Sequence, residues 1–343
     1  MIMDHHHLYM QRAMELAELG RGKVSPNPMV GCVIVHEGDI IGEGYHEYYG
    51  GPHAEPNAIF SVLDQSLLKN STVYVTLEPC AHFGKTPPCA NLLVEKGVKK
   101  VVIGAVDTNP LVGGKGIAIL RKAGVEVIHG IMEDDIRKQN CRFFTFIEKK
   151  RPYVILKWAQ TRDGFVARDN FDSKWISNSY SRQLVHRWRT EEDGIMVGTN
   201  TARYDNPKLN TREWSGKNPT RIVIDRMLQL DPSLSLFDRS QKTICFNIIK
   251  EEKYDNLEFI KLDPDFEIQH VFEKLYELKI QSVIIEGGTF LLNKIINAEL
   301  WDEARVFTGQ TNFGTGISAP KFKGRLLEEI DVLGDKLEFW LKD

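Results

Sequence analysis

The sequence predicts a two-domain α/β protein. Three observations carry this. The chain has 343 residues, both halves alternate β-rich and helix-periodic segments, and a charged, proline-bearing break at Lys149-Lys150-Arg151-Pro152 separates them. One hydrophobic core usually stops growing near ~250–300 residues, so a chain of this length divides. Strands alternating with helices build layered domains around a largely parallel sheet. The expected domains are 1–148 and 149–343.

Apolar residues at helical spacing predict a helix from Leu8 to Gly20, and Ser25-Pro26-Asn27-Pro28 reads as an extended loop. Val30–His36 and Ile40–Tyr45 are β-rich runs joined by the hairpin signal Glu37-Gly38-Asp39. A helix at 55–63 and a strand at 72–76 follow, then a Pro- and Gly-bearing loop from Glu78 to Pro88. A helix at 89–96, a strand at 100–106, a helix at 117–123 and a strand at 125–128 come next. One closing helix is expected over 136–146. The second half opens with a strand at 153–158 and a helix at 179–190, and further strands are expected at 195–198, 220–225, 243–247, 282–286 and 304–308. A helix is expected at 290–297.

Hydrophobic residues make up 42% and charged residues 27%, the balance of a soluble globular protein. The formal net charge of −3 provides no overall cationic field for nucleic acid or an anionic membrane. No apolar run reaches the ~20 residues that span a bilayer, and no signal-peptide pattern opens the chain. A cytoplasmic protein is expected. Five cysteines, an odd number, argue against a disulfide framework. His5-His6-His7 reads as a solvated terminus.

His53-Ala54-Glu55, Pro79-Cys80 and Cys89 form a metal constellation in which each residue sits at the edge of a predicted element. One imidazole and two thiolates are the ligand set of a catalytic zinc ion whose fourth position is left to water. Such an ion lowers the pKa of its water from 15.7 to about 7. Glu55 has the right type and position to move protons as general acid and base. Helix starts at Cys80 and Cys89 would favour thiolates. A structural zinc site needs four protein ligands, and no equally convincing fourth is present. Nucleoside deaminases usually carry P-C-x-x-C, whereas here Ala81-His82-Phe83-Gly84-Lys85-Thr86-Pro87-Pro88 separates the cysteines. That polar, cationic loop suits a substrate bearing a phosphate.

These motifs, with Pro26-Asn27-Pro28-Met29-Val30-Gly31 and Asp107-Thr108-Asn109-Pro110, resemble the deaminase domain of the bifunctional riboflavin-pathway deaminase–reductases. Leu156-Lys157-Trp158-Ala159-Gln160-Thr161-Arg162-Asp163-Gly164, Ser173-Lys174-Trp175-Ile176-Ser177 and Ile285-Glu286-Gly287-Gly288-Thr289 resemble the reductase domain. The resemblance covers nearly the whole chain. It implies a cytidine-deaminase-like three-layer domain followed by a dihydrofolate-reductase-like α/β domain. It also implies hydrolytic deamination of 2,5-diamino-6-ribosylamino-4(3H)-pyrimidinone 5′-phosphate, then NADPH-dependent reduction to 5-amino-6-ribitylamino-uracil 5′-phosphate.

By motif, the family's roles place one Zn²⁺ per chain on His53, Cys80 and Cys89, with Glu55 catalytic. Asn27, His46, His82, Lys85, Asp107 and Asn109 would hold the pyrimidine and its ribose phosphate. In the reductase half, Lys157, Ser173, Arg189, Asp205, Leu209, Arg212 and Glu286 would meet the substrate, with Arg189 and Arg212 as cations for its phosphate. Gln160, Trp175, Thr201, Asp205 and Gly288 would line NADPH. No G-x-G-x-x-G follows the first strand of this half, so a Rossmann domain is not expected. The Gly287-Gly288 junction before a helix would instead offer N–H groups to cofactor phosphate. Two departures from the family stand out: Pro56, and the bulky, charged stretch Arg168-Asp169-Asn170-Phe171-Asp172.

Three rival functions would leave different marks in the sequence. A tRNA deaminase would carry P-C-x-x-C and a basic groove. An inactive zinc-stabilised binding protein would have no need of Glu55. A chain with one vestigial half would have lost one residue set. The expected partner is a small phosphorylated pyrimidine, with no nucleic acid or membrane, and self-association is left open.

Overall fold

The computed structural model describes residues 5–81, 87–109, 113–174 and 176–343. The chain divides into two units, Met1–Lys149 and Lys150–Asp343.

The first unit runs α1 (His5–Glu18), β1 (Gly31–His36), β2 (Asp39–Tyr45), α2 (Ala54–Ser61), β3 (Thr72–Leu77), α3 (Cys89–Glu95), β4 (Lys100–Ala105), α4 (Lys115–Lys122), β5 (Glu126–His129), α5 (Glu133–Gln139) and α6 (Cys141–Lys149). Its sheet has the order β2-β1-β3-β4-β5. β1 is antiparallel to β2 and β3, and the remaining pairs are parallel. Successive strand side chains point to opposite faces, and each face has its own core. Cys32, Ile34, Val73, Val75, Val101 and Ile103 pack with α2, α3 and α4. Val33, Val35, Tyr74 and Val102 pack with α1, α5 and α6. Two helical layers around one sheet make the three-layer domain. The β1–β2 hairpin turns through Glu37 (φ 51°) and Gly38 (φ 96°), the backbone of a two-residue primed turn.

Two expectations need correction here. His5, His6 and His7 open α1 rather than forming a loose terminus, and His6 Nδ1 lies 2.9 Å from the Tyr74 hydroxyl. The single closing helix is two helices, broken at buried Asn140. The Asn140 side chain accepts from Met29 N (2.8 Å) and donates to Met29 O (3.0 Å), which holds the chain just after Asn27. A contact 111 residues away in sequence decides the break, so helical periodicity could not show it.

The second unit runs β6 (Tyr153–Gln160), β7 (Phe165–Ala167), α7 (Ser179–Glu191), β8 (Gly194–Gly198), α8 (Thr199–Asp205), β9 (Thr220–Ile224), β10 (Thr243–Asn247), β11 (Glu252–Tyr254), β12 (Leu257–Lys261), α9 (Ile268–Glu277), β13 (Ser282–Ile285), α10 (Thr289–Asn297), β14 (Glu303–Thr308), β15 (Ile317–Ser318), β16 (Arg325–Val332) and β17 (Asp335–Leu341). Its main sheet has the order β11-β12-β10-β9-β8-β13-β6-β14-β17-β16 and is parallel from β12 through β14. β13 enters late in the chain and wedges between β6 and β8. Open α/β sheets place ligand crevices at the carboxyl ends of strands where the order reverses in this way. Asn178 caps α7 by accepting from Ser181 N at 3.0 Å. Trp158 is buried in the core of this unit. The expected element set lacked β7, α8, β11, β12, α9, β15 and the β16–β17 hairpin.

Candidate active sites

In the first unit, parallel β3 and β4 deliver their carboxyl ends side by side, joined by Glu78 N donating to Ala105 O at 3.0 Å. Cys80 follows β3, Asp107 follows β4, and His53 caps the start of α2. His53 Nδ1 lies 3.6 Å from Cys80 Sγ and 3.4 Å from Cys89 Sγ, and the three donor atoms all fall within 4.8 Å of one another. A tetrahedral zinc with Zn–S of about 2.3 Å and Zn–N of about 2.0–2.1 Å separates neighbouring ligand atoms by about 3.5–3.8 Å. The donor set therefore fits that ion. Among the described residues the cluster contains three donors, one short of a closed structural site.

Cys89 opens α3, as expected, but Cys80 sits on the loop after β3 and not at a helix start. The helix reaches it anyway, because Cys89 N donates to Cys80 Sγ at 3.3 Å. A hydrogen bond from Cys89 does most to push Cys80 down to about 4, while the same bond and burial push Cys89 up. His53 is raised, first by Cys80. Glu55, in the first turn of α2, is only 3% exposed, and burial followed by the Cys80 charge pushes its carboxyl up to about 7. Pro56 sits beside it in the same turn, where a missing N–H is no loss.

His46 is also buried, at 2% exposure, and its ring stands edge-on to His53 with centroids 5.5 Å apart. Its two nitrogens face Pro52 O (2.9 Å) and Asn27 Nδ2 (3.1 Å). Burial, opposed by the Pro52 bond, lowers its pKa. Asp107 Oδ1 accepts from Asn109 N at 2.8 Å, tying those two expected contacts into one turn. His82 and Lys85 lie outside the described residues.

One feature escaped the motif reading. Buried Glu78, two residues before Cys80, accepts from the backbone N of Gly114 (2.9 Å), Gly116 (2.9 Å) and Ile117 (3.2 Å) at the start of α4. Gly116 has no side chain because a Cβ there would stand 2.0 Å from Pro79 O. The Thr-Leu-Glu-Pro-Cys string carried the signal, but nothing local showed the partner.

In the second unit, a cavity of about 630 Å³ opens at the carboxyl ends of β6, β8 and β13. It gathers Lys157, Ser173, Arg189, Thr201, Asp205, Leu209, Arg212, Glu286 and Gly288 from the expected set. Gln160 is not among its walls; its amide accepts from Trp158 Nε1 (2.9 Å) and faces Thr308 Oγ1 (3.4 Å). Trp175 lies outside the described residues.

The charged centre differs from the sequence reading. Arg189 is not an open phosphate cation: it grips Glu286 with two parallel bonds of 2.8 and 2.9 Å and donates a third to Asn210 O at 3.0 Å. Glu286, expected to meet a hydroxyl, has both oxygens engaged by that fork, and Lys157 Nζ stands 3.6 Å away. Burial would raise the Glu286 carboxyl, but the Arg189 and Lys157 charges outweigh it and hold it down at about 2. Burial and Arg189 lower Lys157 against the pull of Glu286. Arg212 remains half-exposed at the wall, 3.1 Å from Asn210 Oδ1. Gly288 N, expected to be open to a phosphate, donates to Thr201 Oγ1 at 2.9 Å. Ser173 Oγ faces both Asp205 oxygens at 3.4 Å.

Leu209 lies in the left-handed region (φ 52°), as does Asn206 (φ 40°), so this wall is a strained turn held by its surroundings. His186 also lines the cavity and was missed, although 182, 185, 186 and 189 share one helical face. The departing stretch before Ser173 places Phe171 flat on Tyr204, with centroids 4.4 Å apart, at the cavity wall.

Residues 152–330 match the family model "RibD C-terminal domain", and residues 3–105 match "Cytidine and deoxycytidylate deaminase zinc-binding region". The chain is 39% identical over 334 residues to riboflavin biosynthesis protein RibD of Actinobacillus pleuropneumoniae, covering 94% of this chain and 88% of that protein. It is 38% identical to the Aquifex aeolicus protein of the same name, covering 97% of each. Among solved structures, a Thermotoga maritima diaminohydroxyphosphoribosylaminopyrimidine deaminase/5-amino-6-(5-phosphoribosylamino)uracil reductase superposes with a TM-score of 0.91 at 36% identity over 99% of both chains. Acinetobacter baumannii RibD superposes at 0.90 and 33% identity over 98% of both. No helix among the described residues is long and apolar enough to cross a membrane. With a zinc-binding deaminase unit followed by a reductase unit, the chain belongs to the RibD family of bifunctional riboflavin-biosynthesis enzymes.

Proposed function

We propose that the chain carries out two successive steps on one phosphorylated pyrimidine. The first unit adds water to 2,5-diamino-6-ribosylamino-4(3H)-pyrimidinone 5′-phosphate and releases the 2-amino group as ammonia. The second unit reduces the ribosyl group to ribityl with NADPH, giving 5-amino-6-ribitylamino-uracil 5′-phosphate. The observation that carries this reading is the three-donor cluster of His53, Cys80 and Cys89 beside buried Glu55, in a chain that aligns end to end with deaminase–reductases.

His53, Cys80 and Cys89 would hold a zinc ion, which would supply Lewis acidity and bring the pKa of a bound water to about 7. Glu55, with a carboxyl also near 7, takes the proton from water and hands it to the departing amine. Asn27, Asp107 and Asn109 hold the ring and ribose, and His82 and Lys85 reach the phosphate.

The cavity of the second unit would hold NADPH, which would supply the hydride for the ribose carbon. Arg189 fixes Glu286, Glu286 holds Lys157 Nζ 3.6 Å away, and Lys157 presents that nitrogen to a substrate oxygen. Ser173, Asp205, Leu209 and Arg212 complete the substrate side. Thr201, Gly288 and Trp175 line the cofactor, and Gln160 steadies Trp158 from behind the wall. Free thiols at the metal cluster fit a reducing compartment, and we place the protein in the cytoplasm.

Metal analysis of the full chain, with turnover of the diaminopyrimidine phosphate in the presence and absence of NADPH, tests the proposal. Expected are one zinc per chain, ammonia release without NADPH, and NADPH oxidation only after deamination. Ammonia from cytidine, adenosine or tRNA in its place would overturn the substrate assignment.

A further inference from the structure

We infer that His46 is a positioning residue whose task is to set which way the Asn27 amide faces, and through it to demand a hydrogen-bond donor on the substrate. The inference rests on the deaminase reading above and goes beyond it.

His46 is fixed on every side. Its backbone N donates to Val30 O at 2.9 Å, and its carbonyl lies so close to Gly20 that a Cβ there would stand 2.7 Å away. Pro52 O can only accept, so the ring nitrogen 2.9 Å from it, Nδ1, carries the hydrogen. In a neutral imidazole the other nitrogen is then an acceptor. Nε2 therefore requires a donor from Asn27, and it receives Nδ2 at 3.1 Å. The amide cannot flip without setting its oxygen against the Nε2 lone pair. Asn27 Oδ1 is thus the end turned away from His46, and it has no partner among the described residues.

The Asn27 backbone is held just as firmly. Its N donates to Val24 O at 2.9 Å, and two residues on, Met29 is clasped by both ends of the Asn140 side chain. A fixed backbone with a fixed amide rotation presents one acceptor at one place. A site built to bond an N–H rejects ligands that lack it far more strongly than an apolar wall rejects a misfit. The 2-aminopyrimidinone is rich in such hydrogens, and Asn27 Oδ1 would accept one of them.

The test compares His46→Leu, His46→Gln, Asn27→Ala and the double variant His46→Leu/Asn27→Ala in the full chain. Ammonia release from the diaminopyrimidine phosphate and zinc content are read for each. A glutamine amide donates at one end and accepts at the other across nearly the same span as the neutral ring. His46→Leu should raise KM about tenfold, the scale of one oriented hydrogen bond, with kcat changed less and one zinc retained. His46→Gln should recover most of that loss. The double variant should be no worse than Asn27→Ala alone, because both remove one interaction. Far-UV circular dichroism and a thermal melt of the full chain report that each variant's first unit is folded, and should His46→Leu fail there, the Gln variant and Asn27→Ala carry the comparison. An unchanged KM in His46→Leu, losses that add in the double variant, or a parallel loss of zinc would overturn the inference. Absence of ammonia release from the unaltered chain would instead overturn the deaminase reading.

Discussion

The two units solve opposite electrostatic problems. The first brings three electron-pair donors together with a buried carboxyl that burial pushes up to about 7. Its negative charge is gathered in advance of a cation. The second buries a carboxylate of comparable depth but surrounds it with an arginine fork and a lysine, which hold Glu286 down at about 2. The same side chain is thus tuned to exchange protons at neutrality in one unit and to stay ionised in the other. Burial acts in the same direction on both, and the sign of the nearest charge decides the outcome.

Stripping the metal breaks the comparison most completely. Dialysis of the full chain against a chelator should abolish ammonia release while NADPH oxidation on deaminated substrate continues. Parallel loss of both activities would show that the units are not separate in chemistry. Glu55→Gln should come next, lowering deamination by about 10²–10⁴-fold with one zinc still bound. Deamination persisting in that variant would remove Glu55 from the proton path.

Glu286→Gln probes the opposite design. It leaves Arg189 and Lys157 facing each other without their anion, and breaking a buried pair in this way costs about 3–5 kcal/mol. Urea denaturation should show that loss in the second unit, together with loss of NADPH oxidation. The same carboxylate sets an acid limit. Its pKa falls from an ordinary 4.5 to about 2 on folding, so its stabilisation is full above 4.5 and disappears as pH drops toward 2. Glu286→Gln should flatten that part of the stability–pH curve. The smallest effect is expected at the cavity wall. Phe171→Ala removes an aromatic stack worth about 0.5–1.5 kcal/mol, so the KM for NADPH should rise about two- to tenfold. An unchanged KM would place the Phe171–Tyr204 pair outside the cofactor's reach.

The first site was legible because its chemistry is local. His53 and Glu55 are two residues apart, and Cys80 and Cys89 stand at element ends that hydrophobic patterning marks. The second was legible only as a roster. Arg189 and Glu286 are 97 residues apart, and no pattern along the chain shows that one neutralises the other. Arg189 therefore looked like an open cation until its partner was in view. The partners of His46 were hidden for the same reason, being a backbone carbonyl and an amide in another loop. Helix α9 is a different kind of miss. Ile268, Val271, Phe272 and Leu275 repeat at clear helical spacing, so that signal was present and passed over. The β16–β17 hairpin gave little to find, since nearly all of β16 is exposed and its apolar residues do not alternate.

Glu78 holds three amide hydrogens at the start of α4 while standing two residues along the chain from Cys80. Just before that helix, Gly113 N donates to Asn109 O at 2.8 Å. The arrangement predicts that metal affinity and ligand affinity are thermodynamically linked through Glu78. Whatever factor a bound pyrimidine adds to zinc retention, zinc must return to pyrimidine binding. Chelator titrations with and without a substrate analogue would read that factor from either side, and Glu78→Ala should shrink it toward one.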